Sequence, residues 1–411
     1  MPSLARNVPV VLKSATAAPR STSVLRISSR AFSQVSTATR HLQRSSLVRP
    51  SIIASFQHQI GAMSSEVPSQ MKAILVKDGK GPSDNLYLGE APVPELADDE
   101  VLVKIKAFGL NRMDILQREG QYPLPPHAPQ IMGVEFSGHI VATKNLKDAE
   151  WKVGQEVFGL AVGGAYAEYI KVPARMILEK PSELDWVQAA AIPENYFTAF
   201  QALRTICELK PGENVLIHAG ASGVGLAAIQ LARAFGAGKI YITAGSDEKI
   251  AFCESLGADK GFNYKAGDWA AELATHTGAQ GPAGSVDVIV DFVGAPYWNG
   301  NLHSLRRDGR MVMLAFMGGA KVKESVIAQL LYKRLRIEGS TLRSRSVEYQ
   351  SDLVQGFVRE KGLERLISGA HKEGDKLVIH KVYSWTEIKQ AHDEMEANKN
   401  IGKIIITVDG A

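Results

Sequence analysis

The run Val215-Leu216-Ile217-His218-Ala219-Gly220-Ala221-Ser222-Gly223-Val224-Gly225 restricts the fold of this chain more than any other feature: an apolar strand breaks into glycines and resumes as a helix. Such a turn gathers free backbone N–H groups and the positive end of a helix at one point, an arrangement that takes a pyrophosphate. Ser222 stands where the G-x-G-x-x-G fingerprint has its middle glycine, so the motif rests on its context. That context is an alternation. Strand Asn214–Ala219 leads to helix Val224–Phe235, strand Lys239–Ala244 to helix Glu248–Leu256, and strand Val286–Phe292 to a helix ending over Leu302–Arg307, followed by strand Arg310–Phe316. Alternating strands and helices imply a parallel sheet covered on both faces, an α/β doubly wound dinucleotide-binding domain. The plain alternative is a structural tight turn in an α/β protein.

The rest of the ordered chain reads differently. Lys72–Val76, Leu86–Glu90, Glu100–Ala107, Gly138–Thr143 and Ala165–Lys171 are short strands punctuated by turns, and Val101, Val103 and Ile105 alternate as one buried face should. Ser384–Asn400 reads as a helix and Gly402–Val408 as a strand free to return to this β-rich domain. A length of 411 residues suits two domains and an extension.

The extension is residues 1–62. Residues 1–65 hold Arg6, Lys13, Arg20, Arg26, Arg30, Arg40, Arg44 and Arg49 and no acid, the composition of a mitochondrial or plastid transit peptide. Val8–Leu12 is too short an apolar stretch for a secretory signal, and Arg30-Ala31-Phe32-Ser33 resembles a matrix-protease site. Import into the mitochondrial matrix is expected, with a disordered tail as the other reading and Met63 or Met71 as starts for a cytosolic form. Without those eight positives the formal charge of +4 becomes −4, so no basic nucleic-acid surface is implied. No apolar run approaches the roughly 20 residues of a membrane span. Cys207 and Cys253 are the only cysteines, which excludes a disulfide framework and a four-cysteine zinc lobe.

The end of the strand after the glycine turn selects the dinucleotide, because an acid there binds the ribose hydroxyls of NAD. Here the strand ends Thr243-Ala244-Gly245-Ser246 with Lys249 a turn later. Gly245 leaves room for a 2′-phosphate, Ser246 can donate to it and Lys249 can neutralise it, so NADPH is expected. Asp247 is the dissenting residue, either a helix cap or a ribose ligand.

These segments, together with Gly109-Leu110-Asn111-Arg112, Gly120-Gln121-Tyr122-Pro123, Gly261-Phe262-Asn263-Tyr264, Leu342-Arg343-Ser344-Arg345 and the run Met395–Lys403, resemble the medium-chain dehydrogenase/reductase superfamily. The similarity runs from about Met71 to Val408 and is strongest to the zinc-free, zeta-crystallin-like quinone oxidoreductase branch, particularly its apoptosis-linked animal members. The resemblance implies a GroES-like catalytic domain over 71–195, a Rossmann dinucleotide-binding domain over 196–339, and a return segment, 340–411, completing the catalytic domain. It also implies a homodimer formed by edge-to-edge pairing of the dinucleotide-binding sheets. The family's cofactor contacts would fall on Thr198, Ser222, Gly223, Val224, Gly245, Ser246, Lys249, Tyr264, Phe316, Met317, Arg343 and Asn400. Asn400 lies in a helix-to-strand turn and reads equally well as a helix C-cap.

Zinc-dependent relatives hold a catalytic metal with Cys and His. Asn111-Arg112-Met113-Asp114 stands where a ligand cysteine is expected and Gly133-Val134-Glu135 lacks the ligand histidine, so no metal site is expected. His127, His139 and His218 read as surface or turn histidines, and Arg112 with Asp114 as a structural ion pair. Without a Lewis acid, hydride must go to an acceptor that is already electron-poor, such as a quinone or an enone. Asn111 and Tyr122 are the candidate catalytic donors, by hydrogen bond to the acceptor oxygen or, for Tyr122, by a proton. Their plain readings are a turn residue and a packing residue beside the Pro123–Pro129 loop. Two other functions stay open. One is a mitochondrial trans-2-enoyl thioester reductase, and the other an NADPH-binding regulatory or RNA-binding protein without significant turnover.

Overall fold

The structure, a computed structural model, describes residues 67–147, 150–280, 283–325, 327–367 and 377–409. The presequence read at 1–62, the start Met63 and part of the return segment lie outside them.

The chain opens with an antiparallel pair, β1 (Gln70–Val76) and β2 (Leu86–Pro92). It continues through β3 (Glu100–Leu110), α1 (Arg112–Arg118), β4 (Glu135–Lys144), β5 (Glu156–Leu160), β6 (Tyr169–Pro173), β7 (Ile177–Glu179), α2 (Trp186–Ala190) and α3 (Pro193–Phe200). The alternating half follows: β8 (Val215–Ile217), α4 (Gly223–Ala234), β9 (Ile240–Ala244), α5 (Asp247–Ser255), β10 (Lys260–Asn263), α6 (Trp269–Thr277), β11 (Val286–Asp291), α7 (Trp298–Ser304), β12 (Leu305–Met313), α8 (Ala328–Lys333) and β13 (Arg336–Gly339). Last come α9 (Val347–Arg359), α10 (Gly362–Ile367), β14 (Ile379–Ser384), α11 (Ile388–Glu396) and β15 (Lys403–Thr407).

Six strands form a wholly parallel sheet in the order β10-β9-β8-β11-β12-β13, the doubly wound order expected of a dinucleotide-binding sheet. Its middle strand β8 is wholly apolar because helices cover both faces, and Val215, Leu216 and Ile217 are fully buried. The direction of winding reverses between β8 and β11, which opens a crevice beyond their carboxyl ends.

Seven strands form the second, mainly antiparallel sheet, in the order β14-β15-β3-β4-β5-β7 with β6 also against β3. β3 buries Val101, Val103 and Ile105 as its alternation requires. Beyond Ala107 the alternation fails, since Phe108 and Leu110 are buried where β15 runs antiparallel alongside, Ile406 facing Phe108 and Ile404 facing Leu110.

Two local expectations change. Leu305–Arg307 begins β12 instead of ending a helix: Leu305 pairs with Val286, and the register then shifts before Arg310 pairs with Val288. Asp308 sits there at φ +63, so the turn-like Arg-Arg-Asp-Gly sequence is an irregularity within the strand. The helix expected over Ser384–Asn400 is a 3₁₀ turn, Trp385–Glu387, followed by α11, which stops at Glu396. Asn398 at φ +54 closes the turn after it, the left-handed role Asn tolerates.

One buried ion pair fastens these layers together. Lys403 of β15 pairs with Glu135 of β4, at 4% and 0% side-chain exposure. Lys403 Nζ also donates to Asn111 Oδ1 at 2.6 Å, and Glu135 accepts from Asn111 Nδ2 at 2.8 Å and from the backbone N–H of Glu194 in α3 at 2.9 Å. Replacing Lys403 by Met strands a buried carboxylate, and such changes cost about 3–5 kcal/mol. Urea unfolding of Lys403→Met should show a loss of that size; a loss under about 1 kcal/mol would mean that the pair is dispensable.

Candidate active site

The glycine turn lies at the crevice between β8 and β11. Ser222 caps α4, its Oγ accepting the Gly225 N–H at 3.1 Å, and Gly223 and Val224 form the first turn of the helix. A Cβ on Gly225 would lie 2.5 Å from Ala219 O and 2.6 Å from Gly220 O, so only glycine lets the helix sit so close to the strand end. At the neighbouring strand end Gly245 precedes Ser246, which caps α5 by accepting the Lys249 N–H at 3.3 Å. Asp247 is therefore not the cap; its carboxylate takes a hydrogen bond from Asn263 Nδ2 at 2.9 Å. The Tyr264 hydroxyl stands 2.6 Å from the position a Cβ on Gly245 would take.

Lys249 Nζ donates to the carbonyls of Asn398 at 3.1 Å and Asn400 at 3.5 Å, which draws the turn after α11 toward α5. Asn400 Nδ2 stays within that turn on Gly402 O at 2.9 Å, and α11 has already ended, so Asn400 is not its C-cap. Phe316 and Met317 follow β12 and are mostly exposed; Met317 N–H donates to Phe292 O, which holds this segment over the end of β11.

A second group gathers where the two sheets meet. Tyr122 is half-buried with the Arg343 guanidinium 5.4 Å from its ring centre. Arg343 is 2% exposed; its Nε donates to Val162 O and its Nη1 to Gln117 Oε1, while Nη2 has no partner. Thr198 of α3 is likewise buried with an unpartnered Oγ1. Buried polar atoms seldom lack partners, and these two suit a polar ligand. Burial raises the Tyr122 phenol; Arg343 opposes that, and Glu194 and Asp114 add to it, so the hydroxyl stays protonated and able to donate. Asn111 stands at the start of α1, its amide oriented by Lys403 at one end and Glu135 at the other. Lys403 also reaches Asn195 Oδ1 at 3.5 Å, and the Asn195 amide abuts Gly223, so one polar chain joins Asn111 to the start of α4.

Comparison with known proteins agrees with this arrangement. The model of the alcohol dehydrogenase GroES-like domain matches residues 97–182 and that of the zinc-binding dehydrogenases matches residues 223–357. The quinone oxidoreductase of Lama guanicoe is 30% identical over 338 residues, 82% of this chain and 97% of that protein. The quinone oxidoreductase of Homo sapiens is 32% identical over 279 residues, 68% of this chain and 82% of that protein. The chain belongs to the medium-chain dehydrogenase/reductase family, in its quinone oxidoreductase-like branch. Among solved members of the family, a quinone oxidoreductase from Coxiella burnetii has a TM-score of 0.65 at 29% identity, covering 82% of this chain and 99% of that one. The CurK enoyl reductase has a TM-score of 0.69, also at 29%, covering 83% and 100%.

Against that family background two sequence readings are corrected. Arg112 and Asp114 do not pair: Arg112 Nη2 donates to Asn398 Oδ1 at 2.7 Å, whereas Asp114 turns inward and accepts the Asn111 N–H at 2.8 Å and the Tyr166 hydroxyl at 3.3 Å. His218 is in the turn after β8 but fully buried, bonded to Thr243 Oγ1 at 3.0 Å and Asn301 Oδ1 at 2.7 Å, and burial lowers it to about 4, so it is neutral. Among the described residues no three His, Cys, Asp or Glu side chains group as metal ligands. Around Asn111 the donors are amides, carboxylates already bonded, and an ammonium, a set that does not fit a tetrahedral Cys/His zinc centre.

Lys403, Glu194 and Asn195 escaped sequence reasoning as site residues, and Glu135 entered it only as a missing histidine. The usable signal was a Lys directly before Ile404-Ile405-Ile406 and a Glu between Val134 and Phe136, charges in buried strands that need partners. In a fluorescence titration, Gly225→Ala should weaken NADPH binding at least tenfold, since the new methyl meets backbone; unchanged affinity would mean that the turn does not hold the cofactor.

Proposed function

We propose that this chain is an NADPH-dependent, zinc-independent reductase of quinones or related conjugated carbonyl compounds. Two observations carry the reading, the Arg343 guanidinium packed on the Tyr122 ring and the Asn111 amide fixed by the buried Lys403 ammonium, in a chain with a dinucleotide-type crevice. NADPH bound there would supply the hydride. Thr198, Ser222, Gly223, Val224, Arg343, Phe316 and Met317 line the path for the nicotinamide end and the pyrophosphate. Gly245, Ser246, Lys249 and Tyr264 surround the place for the 2′-phosphate, and Lys249 exchanges the carbonyls of Asn398 and Asn400 for it. Tyr122 donates a hydrogen bond to the acceptor oxygen as it gains charge, and Asn111, its amide held by Lys403 and Glu135, presents its remaining N–H to the same oxygen.

A second reading, trans-2-enoyl thioester reduction, draws support from the likeness to the CurK enoyl reductase, and it uses the same crevice and the same tyrosine. We further infer a homodimer. β13 is one of the two edge strands of the six-stranded sheet, and Ile327, Leu331 and Tyr332, just before it in the chain, are exposed, an apolar row suited to a second copy. Import into mitochondria rests on the composition of residues 1–62. Sedimentation at the monomer mass would sink the dimer, and a cytosolic fluorescent fusion of residues 1–62 would sink the import.

Turnover of NADPH decides between the acceptors. An ortho-quinone should be reduced quickly and a short trans-2-enoyl thioester slowly, with Lys249→Ala losing roughly tenfold in affinity for NADPH and nothing for NADH. Faster reduction of the thioester would transfer the protein to the second reading, and equal effects on both dinucleotides would remove Lys249 from the phosphate site.

A further inference from the structure

Two cations of this chain rest on one neutral residue. Asn398, exposed in the turn after α11, accepts from Lys249 Nζ on its backbone oxygen at 3.1 Å and from Arg112 Nη2 on its side-chain Oδ1 at 2.7 Å. Lys249 belongs to α5 of the dinucleotide-binding domain, and Arg112 opens α1 of the catalytic domain directly after Asn111. Among the described residues neither cation forms an ion pair. Asp247, two residues before Lys249, takes the Asn263 amide instead, and Glu396, at the end of α11, is committed to Arg118 Nη2 at 2.6 Å.

The turn that carries Asn398 is braced on both sides. Asn398 Nδ2 donates to Glu396 O at 3.1 Å, so its amide is fixed between the helix end and Arg112. Asn400 Nδ2 closes on Gly402 O at 2.9 Å, and the Asn400 carbonyl accepts Lys249 at 3.5 Å. A turn held in this way presents two carbonyls to Lys249, and in the free chain the ammonium is already engaged. A phosphate is charged and bonds an ammonium more strongly than a neutral carbonyl does. A 2′-phosphate can therefore draw Lys249 off the turn, but it has to displace the carbonyls first. The ribose hydroxyl that NADH offers at that point makes no such demand. A competing state of this kind lowers the apparent affinity in proportion to the fraction of free chain in which Lys249 is available.

We propose that Arg112, acting through Asn398, is a positioning residue that sets how strongly this chain prefers NADPH to NADH: it braces the 398–400 turn against α5, parks Lys249 on the two carbonyls, and holds down the affinity for the 2′-phosphate. This rests on the reading of Lys249 as the phosphate ligand. The effect of removing the brace has a definite sign. The competing state weakens and the phosphate-bound state does not, so the affinity for NADPH rises while that for NADH stays. An Arg112 that bound the phosphate itself would give the opposite result, a fall for NADPH. An Arg112 that merely held α1 in shape would lower both affinities together.

Fluorescence titrations of the full chain with NADPH and with NADH test this. Arg112→Met should tighten NADPH by roughly three- to tenfold, the reach of a competing state that holds about 70–90% of the free chain, with NADH unchanged. Asn398→Gly should do the same from the other side of the contact: glycine takes the φ of +54 freely and keeps the backbone carbonyl, losing only the oxygen that holds Arg112. With Lys249→Ala already in place there is no ammonium to park, and neither substitution should then change either affinity. An Asn398→Gly variant whose affinity for NADPH falls or stays put, or one that shifts both dinucleotides alike, overturns the role of Arg112 alone. A Lys249→Ala variant that affects both dinucleotides alike overturns the phosphate site and this role with it.

Discussion

The contact between Lys403 and Glu135 is the constraint on which the rest of this structure depends. A lysine and a glutamate cannot both be taken from water in apolar strands unless each satisfies the other and the remaining donors and acceptors are used up. Here they are: Glu135 also accepts from the Asn111 side chain and the Glu194 backbone, and Lys403 also donates to Asn111 and toward Asn195. The last strand of the chain is thereby bound to β4, to the start of α1 and to the start of α3. The ends of those elements are where the candidate catalytic groups stand.

The same network sets the electrostatics of the crevice. Two buried cations, Lys403 and Arg343, stand against Glu135, Asp114 and Glu194, only Glu135 has an ion pair, and burial raises both Asp114 and Glu194. In zinc-dependent reductases a metal polarises the carbonyl to be reduced. Here the Asn111 amide and Glu135 are tied to a lysine, and in the proposed reading the polarisation offered to an acceptor is that of hydrogen bonds from Tyr122 and Asn111. Such donors suit acceptors that are already electron-poor, which agrees with the quinone oxidoreductases to which the chain is similar.

The glycine turn at the end of a strand was legible because it depends on neighbours within a few residues, and the doubly wound order follows from the alternation it belongs to. The caps by Ser222 and Ser246 were not read, Asp247 having been the cap candidate. The continuation of β3 past Ala107 was not legible, because its burial comes from β15 at the far end of the chain. Glu135, Glu194 and Lys403 were hidden for the same reason: each looks like an isolated charge until the fold brings the three together. Leu305–Arg307 misled because an irregular strand passing through Asp308 has the local sequence of a turn. His218 sits in a turn, yet the helices packed over β8 leave it no solvent.

The central claim is that the cation at the heart of this site is a lysine of the chain and that hydride transfer needs no metal. Its most direct test is the rate of NADPH-dependent ortho-quinone reduction by protein exhaustively stripped with a strong chelator, measured before and after zinc is added back. The account predicts that stripping leaves the rate unchanged and that zinc brings no increase. A rate that collapses on stripping and returns with zinc would contradict it.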